Sequence, residues 1–215
     1  MGALLTIGLL VILFVCVALL GFEGLWSGAI NFVNVLLAAL LATSHFERVA
    51  TWFDWQAPTF TYLADFLALW GLFALLAGVF NLITSRLSRV KVRFKRPVDL
   101  AGGFFFAAWT GWVMVCFTLM SLHTAPLPRN FLGGAFQAQP ESRMFFGLAP
   151  DRQWLALVHK LSQTTFARST PADDPEKYVF DRRGEFILKY AERRAAFERT
   201  EGIRVRRSDL SGEQR

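Results

Sequence analysis

The stretch that decides the fold is Asp99–Leu122, DLAGGFFFAAWTGWVMVCFTLMSL. After its first residue it contains no charged side chain, and it is long enough to cross the hydrocarbon core of a bilayer as one helix. Gly103, Ala107 and Gly111 recur every four positions and therefore line one face of that helix. Such a face lets the backbone of a neighbouring helix approach closely, which predicts a tightly packed transmembrane bundle.

Composition also favours several membrane spans. Of the 215 residues, 53% are hydrophobic and 19% are charged, whereas a soluble domain carries about a quarter charged residues, spread evenly. Here the charges are concentrated after residue 83. Apolar runs at 3–20, 25–43, 62–83 and 100–122 predict four spanning helices. The predicted fold is therefore all-α, a polytopic four-helix transmembrane bundle (residues 1–122) with a partly helical extramembrane C-terminal tail.

The first apolar run is interpreted as a spanning helix. A cleaved signal peptide is the alternative, and it requires a basic start and a small-residue cleavage site. No Lys or Arg precedes Arg48, and no such cleavage site follows Leu20. The run therefore predicts a retained span.

Polar residues are rare within the predicted spans. Asn31 and Asn34 lie three residues apart in the second span and so share one helical face. Because an unbonded amide is costly in lipid, this face is expected to point at another helix, and hydrogen bonding between helices is the preferred interpretation. The alternative is the polar lining of a pathway. Asp99 is interpreted as an N-cap of the helix that it precedes.

Orientation is predicted from basic residues in the short loops. The loop between the second and third spans carries only Arg48, whereas Thr84–Asp99 carries six basic residues: Arg86, Arg89, Lys91, Arg93, Lys95 and Arg96. This contrast predicts a cytoplasmic Thr84–Asp99 loop and both termini outside the cytoplasm. The tail after residue 122 is itself basic, with 16 Lys and Arg against 12 Asp and Glu, but long segments translocate largely regardless of charge.

The same basic loop fits a second interpretation. Lys and Arg beside a membrane attract anionic lipid head groups by about 1 kcal/mol each. The expected partners are thus the lipid bilayer, with anionic head groups at the basic loop, and a second copy of the chain or another membrane protein. Nucleic acid is not expected as a partner.

The first part of the tail, residues 123–168, is predicted to be largely irregular. Pro and Gly are frequent in Ala125–Pro150, which is also apolar in patches. Such a segment fits the membrane surface or a protein partner. Asp151 is then expected to cap a short amphipathic helix, Arg152–Gln163.

The rest of the tail, residues 169–215, is more polar. Ser169–Glu176 has the composition of a linker, Asp181–Glu201 predicts a charged helix, and the last dozen residues predict disorder. Phe186 and Tyr190 mark an apolar stripe on the charged helix. The preferred interpretation is a solvated helix with one apolar stripe, and the alternative is a docking helix for a partner.

Motifs for chemistry are missing from the sequence. His45, His123 and His159 lie far apart, and no pair has metal-ligand spacing. No Gly-rich phosphate loop, nucleophilic serine elbow or HExxH motif occurs. Cys16 and Cys116 lie in apolar runs and are interpreted as small hydrophobic residues. We therefore expect no catalytic residue, no cofactor and no metal site.

Two connections resemble those of the colicin V production protein (CvpA) family. The first and second spans are joined by a short turn in which Gly24 matches a family glycine, while Glu23 stands where the family usually has an arginine. Phe80–Leu87 resembles the polar, basic end of the family's third helix. Gly24, together with Gly28 in the second span, is assigned to helix packing.

The fourth span carries the third likeness to this family. The resemblance as a whole covers about residues 1–122. The family begins this helix with Asp-Arg-x-x-Gly and continues with glycines every four residues. Asp99, Gly103 and Gly111 fit that pattern, whereas Leu100 and Ala107 replace the usual residues.

The resemblance implies a bacterial inner-membrane protein linked to colicin V production or export and to envelope homeostasis. The first hypothesis is a non-enzymatic membrane scaffold or accessory factor. The second is a channel or transporter subunit that oligomerises through the small-residue stripe, with Asn31 and Asn34 facing a pore. Ion flux that requires both asparagines would favour the second hypothesis.

Overall fold

Six helices make up most of the described chain. The computed structural model describes residues 3–56, 61–88, 94–127, 131–134, 136, 143–164 and 179–199. In chain order the helices are α1 (Ala3–Leu20), α2 (Leu25–Gln56), α3 (Thr61–Leu87), α4 (Arg96–Thr124), α5 (Pro150–Gln163) and α6 (Phe186–Arg199), with 3-10 turns at Gly21–Glu23 and Phe131–Gly134. None of these ranges contains a strand, and the predicted all-α fold is confirmed.

Several predictions concern residues outside the described ranges. These are Arg89, Lys91 and Arg93 of the basic loop, the linker Ser169–Glu176, and the segment from residue 200 to the end of the chain.

The first four helices confirm the predicted transmembrane bundle, since each is long and apolar enough to cross a membrane. The predicted second span, 25–43, is only the first part of α2, which continues to Gln56. It does so because no Pro or Gly interrupts the sequence between Thr43 and Pro58. Its 32 residues measure about 48 Å, which exceeds a hydrocarbon core of about 30 Å.

The helices alternate in direction, so the bundle has two different ends. α2 packs against α3 and α4, and α1 packs against α4. What we call the loop end contains the Gly21–Glu23 turn, the end of α3 and the start of α4. What we call the tail end contains the starts of α1 and α3 and the ends of α2 and α4, after which the tail begins.

Small residues let α4 approach its neighbours closely. Gly103, Ala107 and Gly111 are all buried. A Cβ atom on Gly103 would lie 2.6 Å from the carbonyl oxygen of Gly21, and one on Gly111 would lie 2.8 Å from the side chain of Leu13. The stripe is therefore covered by α1 and the following turn of the same chain, so it does not offer the oligomerisation surface of the channel hypothesis.

Two predicted helix caps are wrong. α4 begins at Arg96 with Pro97 in its first turn, so Asp99 lies inside the helix and is not its N-cap. α5 begins at Pro150, so Asp151 likewise lies in the first turn, and no side chain caps that helix. Both carboxylates contact a different helix.

The tail folds back onto the bundle. Trp154 of α5, together with Phe186 and Tyr190 of α6, is buried in one hydrophobic core with α2, α3 and α4. The ring of Phe46 in α2 lies 6.4 Å from the rings of both Phe186 and Tyr190. Burying such side chains contributes roughly 1.5–3 kcal/mol each. The preferred expectation of a solvated charged helix is therefore wrong, because the apolar stripe of α6 has a partner within the chain.

The described part of the chain between α4 and α5 also packs on the bundle. It forms a second hydrophobic core with α1 and α4, whose buried members are Leu5, Leu9, Val115, Leu119, Phe136, Met144 and Phe145. This part of the predicted irregular segment is thus attached to the sides of two spanning helices.

Candidate functional site at the junction of bundle and tail

Five polar side chains from four helices form two sets of contacts at the tail end of the bundle, connected through neighbouring residues of α6, and we call them together the junction. Its members are Asp65 of α3, His123 of α4, Asp151 of α5, and Arg193 and Arg194 of α6. Asp65, His123 and Asp151 are each less than 5% exposed. Because polar groups at such depth require protein partners, the contacts among them determine how the tail is held.

His123 and Asp151 join the end of α4 to the start of α5. The Nε2 atom of His123 lies 3.0 Å from Oδ2 of Asp151, and the carboxylate oxygen accepts the hydrogen bond. Removing one partner would leave the other buried and unpaired, which costs about 1–3 kcal/mol. The pair therefore fixes α5 against α4.

Arg194 connects α6 to the same place. Its Nη1 atom donates to the carbonyl oxygen of His123 at 2.9 Å. That carbonyl lies in the last turn of α4, where the intrahelical donors have ended, so the arginine acts as a C-terminal cap. The guanidinium also lies 5.3 Å from the ring centroid of Phe136, which belongs to the segment between α4 and α5.

A partly buried ion pair holds α6 to α3. Arg193 pairs with Asp65, whose carboxylate is almost completely removed from solvent and needs a cation beside it. A second pair, between Lys189 and Glu47 at 2.7 Å, is about half exposed and therefore contributes little. The specific attachment of α6 thus depends mainly on Arg193 and Arg194.

Tyr190 lies between these charges and the aromatic core. Burial raises the pKa of its phenol, and the carboxylates of Asp65 and Glu47 raise that pKa further. The side chain is therefore neutral under physiological conditions. Its ring centroid is 4.7 Å from that of Phe186, so a neutral aromatic pair lines the inner face of α6.

A cleft of about 920 Å³ opens between α2, α5 and the start of α6. Leu40, Leu41, Val158 and Leu161 supply apolar lining, and charged residues of both signs also line the cleft, among them Glu47, Arg48, Arg183, Glu185 and Lys189. Within the described ranges, no three His, Cys, Asp or Glu side chains are placed to hold a metal ion.

At the loop end, Asp99 caps α2 instead of its own helix. Its Oδ1 atom accepts a hydrogen bond from the backbone N–H of Leu25 at 2.9 Å, where the helix N-terminus favours negative charge. Gly24 has a φ of 85°, and a Cβ atom there would lie 2.7 Å from the Asp99 carboxylate. A Cβ atom on Gly28 would lie 3.7 Å from the Cα of Gly103. The predicted packing glycines of α2 and α4 therefore meet beside this cap.

Asn31 and Asn34 both bond within the chain. Asn34 is buried, and its Nδ2 atom donates to Oγ1 of Thr84 in α3 at 2.9 Å. Asn31 is half-buried and donates to Oε2 of Glu23 in the preceding turn, also at 2.9 Å. One amide thus joins two helices, whereas the other joins α2 to its own connection.

The described part of the basic loop lies at the end opposite the junction. Arg86, Lys95 and Arg96 are exposed there. Trp26 of α2 donates to Oγ of Ser88 at 2.9 Å, which ties the end of α3 to the start of α2.

The family model described as Colicin V production protein matches residues 5–146. This chain belongs to that family. Comparison with curated proteins and with solved structures gave no significant match.

The colicin V production protein domain extends beyond the predicted limit at residue 122. The matched region includes Phe136, Met144 and Phe145, which form a core with α1 and α4. This packing explains why the family pattern continues past the fourth span. The junction has members on both sides of the border of the match. Asp65 and His123 lie inside the matched region, and Asp151, Arg193 and Arg194 lie outside it.

The sequence does not predict the junction, because its members lie on four helices that are distant along the chain. Asp65 offers the one usable signal. An acidic residue beside an apolar run is costly in a membrane protein unless a cation pairs with it. Nothing in local spacing identifies Arg193 as that cation.

Proposed function

We propose that this member of the colicin V production protein family is a non-enzymatic accessory or scaffold factor of the bacterial inner membrane. The family relationship suggests a role in colicin V production or export and in envelope homeostasis. The observation that carries the proposal is the junction, because it attaches the tail firmly to the membrane domain. A preformed surface loses less conformational entropy when a partner binds than a flexible tail would.

In this proposal the loop end faces the cytoplasm, and the tail end, with both termini, faces the other side. The support is the basic character of the loop end, where Arg86, Lys95 and Arg96 are exposed. Anionic head groups of the cytoplasmic leaflet are the candidate ligands of these side chains. Reporter fusions at Val92 and at the C-terminus test the side assigned to each end.

Complementation tests the proposed role. In a bacterium that carries the colicin V genes and lacks its own family member, this chain is expected to restore release of the toxin. Arg194→Ala should reduce release because it loosens the tail, and Lys160→Ala, on an exposed position of α5, is the matched control. Equal release with and without the chain would remove the proposed role in toxin production.

The channel or transporter hypothesis requires polar groups that face a path. The amides of Asn31 and Asn34 are already bonded to Glu23 and Thr84, which favours the scaffold. Liposomes that contain the purified chain provide the test. Ion flux that disappears in the double variant Asn31→Leu/Asn34→Leu would replace the scaffold proposal with a channel.

A further inference from the structure

The turn that leads into α5 has an unusual backbone. Phe145 and Phe146 have φ values of 55°, Ala149 has 48°, and Gly147, at 80°, lies between them. The left-handed region costs a non-glycine residue roughly 1–2 kcal/mol, so surrounding contacts must hold the turn in place. With this backbone, Phe145 is buried in the core that the turn forms with α1 and α4, whereas Phe146 is 75% exposed.

The contacts of Phe145 show how deep the turn lies. Its ring centroid is 5.9 Å from that of Trp112 in α4, and it shares a core with Leu5 and Leu9 of α1. α1 has 18 residues and no charged side chain, and its length of about 27 Å nearly equals a hydrocarbon core of about 30 Å. A segment packed in one core with Leu5 and Leu9 therefore lies at the depth of the spanning part of α1.

The side chains that point away from the protein match those of a lipid-facing helix. Phe146 is 75% exposed and Leu148 is 50% exposed, compared with 62% for Leu4 and 56% for Ile7 in α1. At the depth of α1, lipid is what surrounds an outward-facing side chain. Arg143, at the start of the turn, is also exposed, and its long side chain can reach the head-group level.

Several backbone polar atoms of the turn form hydrogen bonds within the protein. The N–H groups of Leu148 and Ala149 donate to the carbonyl oxygens of Phe145 and Met144 at 3.0 and 3.1 Å. The carbonyl oxygen of Leu148 accepts from Nε2 of Gln153 at 2.9 Å. Irregular backbone enters a bilayer only when protein groups satisfy its polar atoms, and these bonds satisfy part of the backbone of the turn.

We propose that Met144–Ala149 is a lipid-inserted anchor. Phe146 and Leu148 lie among the phospholipid acyl chains of the leaflet at the tail end, and the tail is bound to that leaflet as well as to the bundle. The occupant of this surface is lipid, because the turn continues the lipid-facing surface of α1.

Spin labels on single cysteines test the anchor in the full chain. The variants are Phe146→Cys and Leu148→Cys, in a background with Cys16→Ala and Cys116→Ala whose unfolding temperature matches wild type. The proteins are reconstituted in vesicles of phosphatidylethanolamine and phosphatidylglycerol. Collisions of each label with oxygen, which enters lipid, and with a nickel chelate, which stays in water, are then compared.

Ile7→Cys is the lipid-facing control, and Lys160→Cys on the exposed side of α5 is the aqueous control. The oxygen-to-nickel ratio at positions 146 and 148 is expected to match the ratio at Ile7 and to exceed the ratio at Lys160 several-fold. If either Phe146→Cys or Leu148→Cys does not fold, the ratio at the remaining position tests the anchor. A ratio equal to that at Lys160 overturns the anchor, and so does protection from both reagents, which would indicate a protein cover.

Discussion

At Gly103 the backbone of α4 touches the backbone of the turn that follows α1. A Cβ atom there would meet the Gly21 carbonyl oxygen at 2.6 Å and the Gly24 Cα at 3.2 Å, and these are backbone atoms that cannot rotate away. Gly71 of α3 has nothing within 4 Å of the same position. Gly103 is therefore required for the packing of its helix, whereas Gly71 is not.

Gly103→Ala is expected to lower the free energy of unfolding by about 1–3 kcal/mol, since it overpacks a contact between backbones. Gly71→Ala, the control, should be neutral or slightly stabilising, because alanine favours helix more than glycine does. Thermal unfolding of both purified variants in detergent is the measurement. Equal unfolding temperatures for the two variants would show that the approach at Gly103 is not tight.

Asp99 offers a second test of a single residue. Asp99→Ala removes the cap on the Leu25 N–H and is expected to cost about 1 kcal/mol, whereas Asp99→Asn keeps an acceptor and should cost less. Thermal unfolding in detergent checks this order. If the two variants have the same stability as wild type, the cap on α2 makes no contribution.

Spacing along the sequence predicts which residues pack or cap a helix. Gly103 and Gly111 are recognisable because their four-residue interval describes one face of a helix. Asp99 is recognisable as a capping residue, but not as the cap of α2, because the N–H that it binds is 74 positions away. A sequence pattern gives the type of group and leaves its partner undetermined.

Among the helices, α6 differs most from its prediction. Its charged composition is typical of a solvated helix, and its apolar stripe alone does not reveal what covers it. In the described part of α6, two ion pairs lead to other helices: Arg193 pairs with the buried Asp65, and Lys189 pairs with the half-exposed Glu47. These partners belong to α2 and α3, so they become apparent only when the helices are assembled.

Arg193→Glu is expected to release α6, because it places a like charge beside the buried Asp65. The loss is about 2 kcal/mol, below the 3–5 kcal/mol typical of a fully buried pair, since the Arg193 side chain is 28% exposed. Lys189→Glu, at the exposed pair, is the control and should cost less than 1 kcal/mol. Limited proteolysis of the tail measures the release.

The reversed pair, Asp65→Lys with Arg193→Glu, should recover much of the protection from proteolysis. Recovery separates the ion pair from a general effect of substitution at either position. If the double variant is cleaved as fast as Arg193→Glu alone, the two residues are not coupled.

The attachment of α6 should also depend on pH through Tyr190. Its pKa in the folded state is raised by burial and by nearby carboxylates, so the neutral phenol stabilises the docked helix. This contribution is complete below the unfolded pKa of about 10 and is lost as the pH rises above it. In Tyr190→Phe, proteolysis of the tail should increase less between neutral and strongly alkaline pH. An identical increase in both proteins would exclude Tyr190 as the cause.

For the whole molecule, hydrophobicity alone is enough to predict four spans and an all-α fold. Long apolar runs leave few alternatives to a spanning helix. The attachment of the tail is not predictable in this way, since it depends on side chains such as Asp65 and Arg194 that are far apart in sequence. The result is a bundle with a basic loop at one end and its own tail folded onto the other.

The most direct test of this arrangement is a topology map with a compartment-specific reporter fused at Val92 and, in a second fusion protein, after Arg215. Four spans with the tail docked at the tail end predict opposite sides, with Val92 in the cytoplasm and the C-terminus outside it. The reverse assignment would contradict only the proposed orientation. Reporters on the same side of the membrane would contradict the four-span bundle itself.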